Sequence, residues 1–188
     1  QEPSLSGDGR FVCFQSEATN LDGFVVGLHV YVHDRDVDED GIYDEPGAFA
    51  TERVNLTSEC QPIPGNMRLS QISDCGRYVV WEAFQNLVTG VNDVNGNAHD
   101  VFRHDRELCT TELVSFAAPF QTGNGYSGRP RISGNGLVVG YHSEASDLVA
   151  GDTNGLSDVF VTVMGSTPLP FTSYCSSTPN SSGHASII

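Results

Sequence analysis

The chain has 188 residues, 38% of them hydrophobic, which is enough for one domain with a real core. Nine basic against 24 acidic residues give a net charge of −15, a surface that repels nucleic acid and anionic membranes and favours cations or basic partners. Apolar runs are only a few residues long, which excludes a bilayer-spanning helix, and the absence of an initiator Met or signal peptide predicts a processed product or a piece of a longer precursor.

In chain order, the first predicted strand runs through Phe11–Phe14, entered from a Gly-containing turn, and the second through Val30–Val32. Strands follow at Tyr78–Trp81, Val101–Phe102, Val138–Tyr141 and Val159–Val163. No window places apolar residues at helical spacing, and Gly and Pro interrupt most of them. These strands recur as ordered blocks. "SGDGRFVCFQSEATNL" begins at Ser6, "SDCGRYVVWEAFQNL" at Ser73 and "SGNGLVVGYHSEASDL" at Ser133, with Gly9, Gly76 and Gly136 spaced by 67 and 60 residues. A second block recurs as "LHVYVHDR", "HDVFRHDR" and "SDVFVTVM", and a third as "TERVNLT" and "TELVSF". Each repeat offers roughly four short strands, the size of one propeller blade. The expected fold is therefore all-β, a partial β-propeller of about three four-stranded blades. Blade 1 covers residues 1–60 with an acidic loop insertion over 34–50, blade 2 covers 61–120 and blade 3 covers 121–165. A Ser/Thr/Pro-rich tail or linker occupies 166–188.

The order of the blocks resembles the TolB-type, WD40-like β-propeller repeat of secreted bacterial proteins. The likeness is carried by Ile72-Ser73, Ile132-Ser133, Asn86-Leu87-Val88, Gly151-Asp152-Thr153-Asn154-Gly155 and Asp158-Val159-Phe160-Val161, and it covers about residues 2–165. The sequence departs from the pattern where Cys75 replaces the turn Asp and Leu137 the Arg, and where the first copy lacks the Asn-Gly loop. The tail segment "YCSSTPNSSG" is similar to a segment that follows such repeats. Rings typically close with about four to eight blades, so the resemblance implies that other blades or chains complete the propeller.

"DRDVDEDGIYDE", residues 34–45, is the most charged stretch. Asp34-Arg35 aligns with Asp105-Arg106 and Thr51-Glu52 with Thr111-Glu112, so the stretch is an eleven-residue insertion into a hairpin. A hairpin needs only about two to five loop residues. Numbered as a calcium loop, Asp36, Asp38 and Asp40 take positions 1, 3 and 5, and Gly41 takes the sharp turn at 6. Ile42 offers its carbonyl at 7, and Asp44 falls at 9. Gly47 stands where an EF-hand carries its bidentate Glu, leaving Glu45 or Glu52 as substitutes. The loop thus resembles thrombospondin-type and dockerin-like calcium loops, which implies a structural Ca²⁺. The competing reading is an acidic turn that simply solvates well. A second candidate metal set lies in the Asn-Gly loops, with Asp93, Asn95 and Asp100 in one and Asp152, Asn154 and Asp158 in the other. Such residues also build ordinary turns.

Six scattered histidines and no GxSxG, HExxH, P-loop or Rossmann fingerprint predict no catalytic site. His99 and His104 are the pair best placed to meet a carboxylate, and Trp81 and Phe102 read as blade-packing residues. Five cysteines without a CxxC pair argue against structural zinc and leave one thiol over. Cys60 with Cys75 is one conceivable bridge, with the connectivity open. The functional expectation is a non-catalytic, acidic, extracytoplasmic binding or scaffold module for a protein or glycan partner, without membrane insertion. The alternative is a fragment of a propeller-containing hydrolase or carbohydrate- or peptide-binding protein whose active residues lie outside this chain.

Overall fold

The computed structural model describes residues 3–21, 27–165 and 183–187. Twelve of its strands form three antiparallel sheets of four. The first holds β1 (Ser4–Leu5), β2 (Phe11–Ser16), β3 (His29–Asp34) and β4 (Ala50–Arg53). The second holds β5 (Arg68–Ile72), β6 (Tyr78–Ala83), β7 (Asp100–Asp105) and β8 (Thr110–Leu113). A small hairpin, β9 (Phe116–Ala118) with β10 (Gln121–Thr122), precedes the third sheet. That sheet holds β11 (Ser127–Ile132), β12 (Val138–Ser143), β13 (Asp158–Val163) and β14 (Gly183–Ile187). In each, the strands lie side by side in chain order. The fold is all-β, built from four-stranded blades as the repeat predicts. Of the expected tail, residues 166–182 lie outside the described residues, and Gly183–Ile187 pairs with β13 as a fourth strand.

The repeated Ser-x-x-Gly turn has a local cause. Ser6, Ser73 and Ser133 each accept, on the side-chain oxygen, the N–H of the residue that opens or precedes the next strand: Phe11, Tyr78 and Val138. The turn then needs a left-handed residue, and Gly76 has φ 73°. A Cβ on Gly76 would also meet the Phe11 ring of the first sheet at 2.1 Å, so this glycine is fixed by packing as well as by dihedral.

Two apolar layers hold the sheets face to face. Cys13, Val30 and Val32 of the first sheet pack on Val79, Trp81 and Phe102 of the second. Val80 and Val101, on the other face of the second sheet, pack on Val139, Tyr141 and Phe160 of the third. Sandwiching explains why β6 and β7 are buried at every residue, whereas β12 alternates. Trp81 and Phe102 are thus blade-packing residues. Aromatic rings also take cations at the sheet edges: Phe11 lies under Arg10 and Arg106, and Tyr78 under Arg77 and Arg103.

Cys60 is bonded to Cys109, not to Cys75. The bridge staples the connection after β4 to the β7–β8 turn, which the chain brings to a Cα separation of 5.4 Å. No sequence spacing reveals this, because the two residues meet only when sheets one and two stack. Among the described residues Cys13 is the free thiol; it is buried, and burial pushes it up to about 12.

Candidate metal centre

The acidic stretch lies between β3 and β4. Asp34 pairs with Ala50 across the ladder, leaving residues 35–49 as the loop; in the second sheet Asp105 pairs with Thr110, leaving only 106–109. An ion pair clamps the root of the loop. Arg10, from the β1–β2 turn, grips both carboxylate oxygens of Asp34 at 2.8 Å and reaches Glu39 at 2.9 Å. Burial pushes the Asp34 carboxyl up, but the Arg10 guanidinium and the Asp36 N–H outweigh it and hold the group below the usual range.

Within the loop, Asp36 is buried and its two carboxylate oxygens accept the N–H groups of Asp40 (3.1 Å) and Gly41 (3.0 Å). Asp40 accepts the Ile42 N–H at 2.8 Å. Glu39 and Gly41 both sit at positive φ, so the chain coils tightly around Asp36. One carboxylate oxygen from each of Asp36, Asp38 and Asp40 comes within 4.8 Å of the others. Three anionic oxygens that close, on a backbone held by its own side chains, have the donor chemistry of a hard divalent cation.

The other residues of the set are placed differently. Asp44 turns to Arg35, with contacts of 2.6 to 3.2 Å, and approaches His33 at 3.8 Å. The Arg35 guanidinium holds its carboxyl below the usual range. The Glu45 carbonyl accepts the Ala48 N–H at 3.0 Å. Ile42 is exposed. Glu52 accepts from Arg106 of the second sheet at 2.7 Å.

The Asn-Gly loops share a clasp. Asn95 donates its side-chain amide to Asp100 (3.3 Å) and to the Gly125 carbonyl, while Asn154 donates to Asp158 at 3.1 Å. In both, the Asn ties the loop to the first residue of the third strand. Asp93 accepts the Asn95 and Gly96 N–H groups. Asp152, Asn154 and Asp158 line a cavity of about 380 Å³. Burial pushes Asp100 up to about 7 despite its bonds from Ser115 and Asn95.

Among the histidines, His99 meets a carboxylate: its Nδ1 lies 3.1 Å from Glu82. Glu82 also accepts the Tyr126 hydroxyl (3.1 Å) and the Arg129 N–H (2.8 Å). Burial pushes Glu82 up, and these three donors more than compensate, so it stays ionised. The group joins sheet two to sheet three. Sequence reasoning missed Glu82, although a carboxylate inside the apolar run "YVVWEA" is the signal that marks a bound, buried charge. His104 meets Thr111 instead.

No family model matches the chain, and no curated protein matches it. Among solved structures it is similar to TolB from Acinetobacter baumannii, with 14% identity over 86% of this chain and 29% of that one, at a TM-score of 0.48. It is similar to a putative TolB from Agrobacterium tumefaciens, with 14% identity over 87% of this chain and 46% of that one, at a TM-score of 0.45. It is also similar to the tricorn protease, with 15% identity over 96% of this chain and 15% of that one, at a TM-score of 0.51. The chain spans less than half the length of each of these proteins. The likeness concerns the fold alone.

Proposed function

We propose that the chain is a non-catalytic, extracytoplasmic binding or scaffold module in which Ca²⁺ fixes the long β3–β4 loop. The observation that carries the reading is the convergence of Asp36, Asp38 and Asp40 within 4.8 Å on a loop the blade does not need. Three carboxylates repel one another in water, and a divalent cation removes that repulsion while drawing further oxygens from backbone and solvent. Asp44, held by Arg35, shapes the loop rather than completing the shell. A partial shell of this kind suits extracellular calcium, with an affinity of roughly 10⁻⁴ to 10⁻³ M. The Cys60–Cys109 bridge supports an oxidising compartment. The ordered loop would display Val37, Ile42 and Phe49, all exposed, to a protein or glycan partner.

Calorimetric titration with CaCl₂, with MgCl₂ as comparison, tests the reading. Binding of one calcium per chain, absent from Asp38→Ala and Asp40→Ala, is expected. No heat and no melting shift at 5-fold excess over about 10⁻³ M calcium would sink it.

A further inference from the structure

The three sheets meet at one end around a cavity of about 500 Å³. The first sheet and its loop lend Glu17, the second sheet Arg68, Leu69 and Glu82, and the third Tyr126 and Arg129. The cavity lies at the opposite end of β3 from the acidic loop, since Leu28 lines it just before that strand begins. Its volume falls within the range of about 300–1,000 Å³ usual for a small-molecule site.

Charge and backbone both single this cavity out. All nine basic residues of the chain are arginines, set among 24 acidic residues. Arg10, Arg35, Arg77, Arg103 and Arg106 each hold a carboxylate. Arg131 donates to the Pro130 carbonyl, and Arg53 is engaged as well. Arg68 and Arg129 alone have a guanidinium with no hydrogen bond or ion pair among the described residues, and both line this cavity. Glu17 lines it too, is exposed, and pairs with neither. Glu82 is already committed, accepting from His99, the Tyr126 hydroxyl and the Arg129 N–H. Leu69 and Arg129 sit in the same bulge of β5 and β11, with φ 53° and 52°. A non-glycine residue adopts that left-handed conformation only where its surroundings impose it. Here the fifth residue of the preceding sheet's second strand imposes it. The Gln15 side-chain oxygen, oriented to suit its donors, accepts the Leu69 N–H at 2.6 Å, and Glu82 accepts the Arg129 N–H at 2.8 Å. Both of these pinning side chains are buried.

We infer that this cavity binds a small organic carboxylate that also carries a hydroxyl or ammonium group, with Arg68 and Arg129 on the carboxylate and Glu17 accepting from the donor. A guanidinium presents a planar fork of N–H groups that matches a carboxylate two bonds at a time. The charges of Glu17 and Glu82, on a chain of net charge −15, disfavour a dianion such as phosphate. One carboxylate beside a hydrogen-bond donor is the chemistry of an acidic sugar and equally of a short peptide's end. The site shares no residue with the calcium loop, so failure of either reading leaves the other standing.

Calorimetric titration of the 188-residue chain in EDTA, at constant ionic strength, is the test, with sodium glucuronate as the sugar and glycylglycine as the peptide. Saturable binding of one ligand per chain by at least one of the two is expected at about millimolar concentration, and glucose is expected to give none. Which of the two binds more tightly identifies the source. Arg68→Gln and Arg129→Gln, both on exposed side chains, are each expected to weaken binding about tenfold, because a charge-assisted hydrogen bond is lost. A folding defect in one, read by circular dichroism, leaves the other to decide. Glu17→Ala is expected to weaken binding as well, by removing the acceptor for the donor group. Asp38→Ala is expected to bind as the natural chain does. No saturation by either compound up to about 10 mM overturns the proposal. So does binding that the arginine variants or Glu17→Ala leave unchanged, and so does phosphate bound as tightly as the carboxylates.

Discussion

Asp36 is 4% exposed, and both of its carboxylate oxygens are engaged by backbone N–H groups of the turn it encloses. Its neighbours Asp38 and Asp40 are exposed and contribute charge without organising the loop in the same way. The three therefore separate by mutation. Asp38→Ala and Asp40→Ala are expected to abolish a calcium-dependent rise in Tm while leaving the calcium-free Tm nearly unchanged. Asp36→Ala is expected to lose the rise and also to cost about 1–3 kcal/mol without calcium, since two N–H groups lose their acceptor. Melts in EDTA and in calcium read both effects. Asp100 gives a pH prediction of definite sign. Its folded value is raised to about 7, above the unfolded carboxylate value of about 3.9. The folded state thus holds its proton longer. Stability from this group is full below pH ~4 and is lost as pH rises through about 7. Asp100→Asn, which keeps an acceptor for the Ser115 hydroxyl, is expected to gain on the natural chain between pH 4.5 and pH 8 in urea denaturation. A gap independent of pH would refute the assignment.

Among the elements, the clamp between the first turn and the end of the third strand recurs with different burial. In sheet two, Arg77 grips Asp105 at 2.6 and 2.9 Å with both side chains nearly sealed, while Arg10–Asp34 in sheet one is more open. Removing one partner of a buried pair leaves an uncompensated charge. Arg77→Ala is therefore expected to cost about 3–5 kcal/mol, and Arg10→Ala distinctly less, read from urea midpoints at constant slope. In sheet three Leu137 replaces the Arg and Val163 the Asp, so both partners changed together. That covariation within one chain is what a paired interaction requires. The disulfide acts between elements, closing a span of 49 residues. Loop-closure entropy assigns such a bridge about 4 kcal/mol, and Cys60→Ser with Cys109→Ser is expected to lose about 2–4 kcal/mol. An unchanged urea midpoint under reducing conditions would remove the staple from the account.

For the molecule as a whole, charge is the dominant long-range term. A net charge of −15 with its arginines largely engaged in ion pairs leaves a surplus of carboxylates that repel across the surface. Raising NaCl from about 10 to 150 mM shortens the screening length from about 30 to 8 Å and is expected to raise Tm. A fall in Tm over that range would mean that attractive pairs outweigh the surplus.

The sequence by itself determined the repeat, the strand content and the position of the acidic insertion. These follow from local rules: Ser-x-x-Gly turns cap themselves, β-branched and aromatic runs alternate, and an aligned hairpin of 106–109 exposes the extra length of 35–49. The carboxylate convergence was legible as well, because alternate aspartates before a glycine coil on one point. Only the tertiary structure decided that Asp44 belongs to Arg35, that Cys60 belongs to Cys109, and that Glu82 ties two sheets together. Each of those contacts is made by residues whose nearness is set by loop path or by sheet stacking. Pattern in one dimension records which face a residue takes, and not what the next layer places against it.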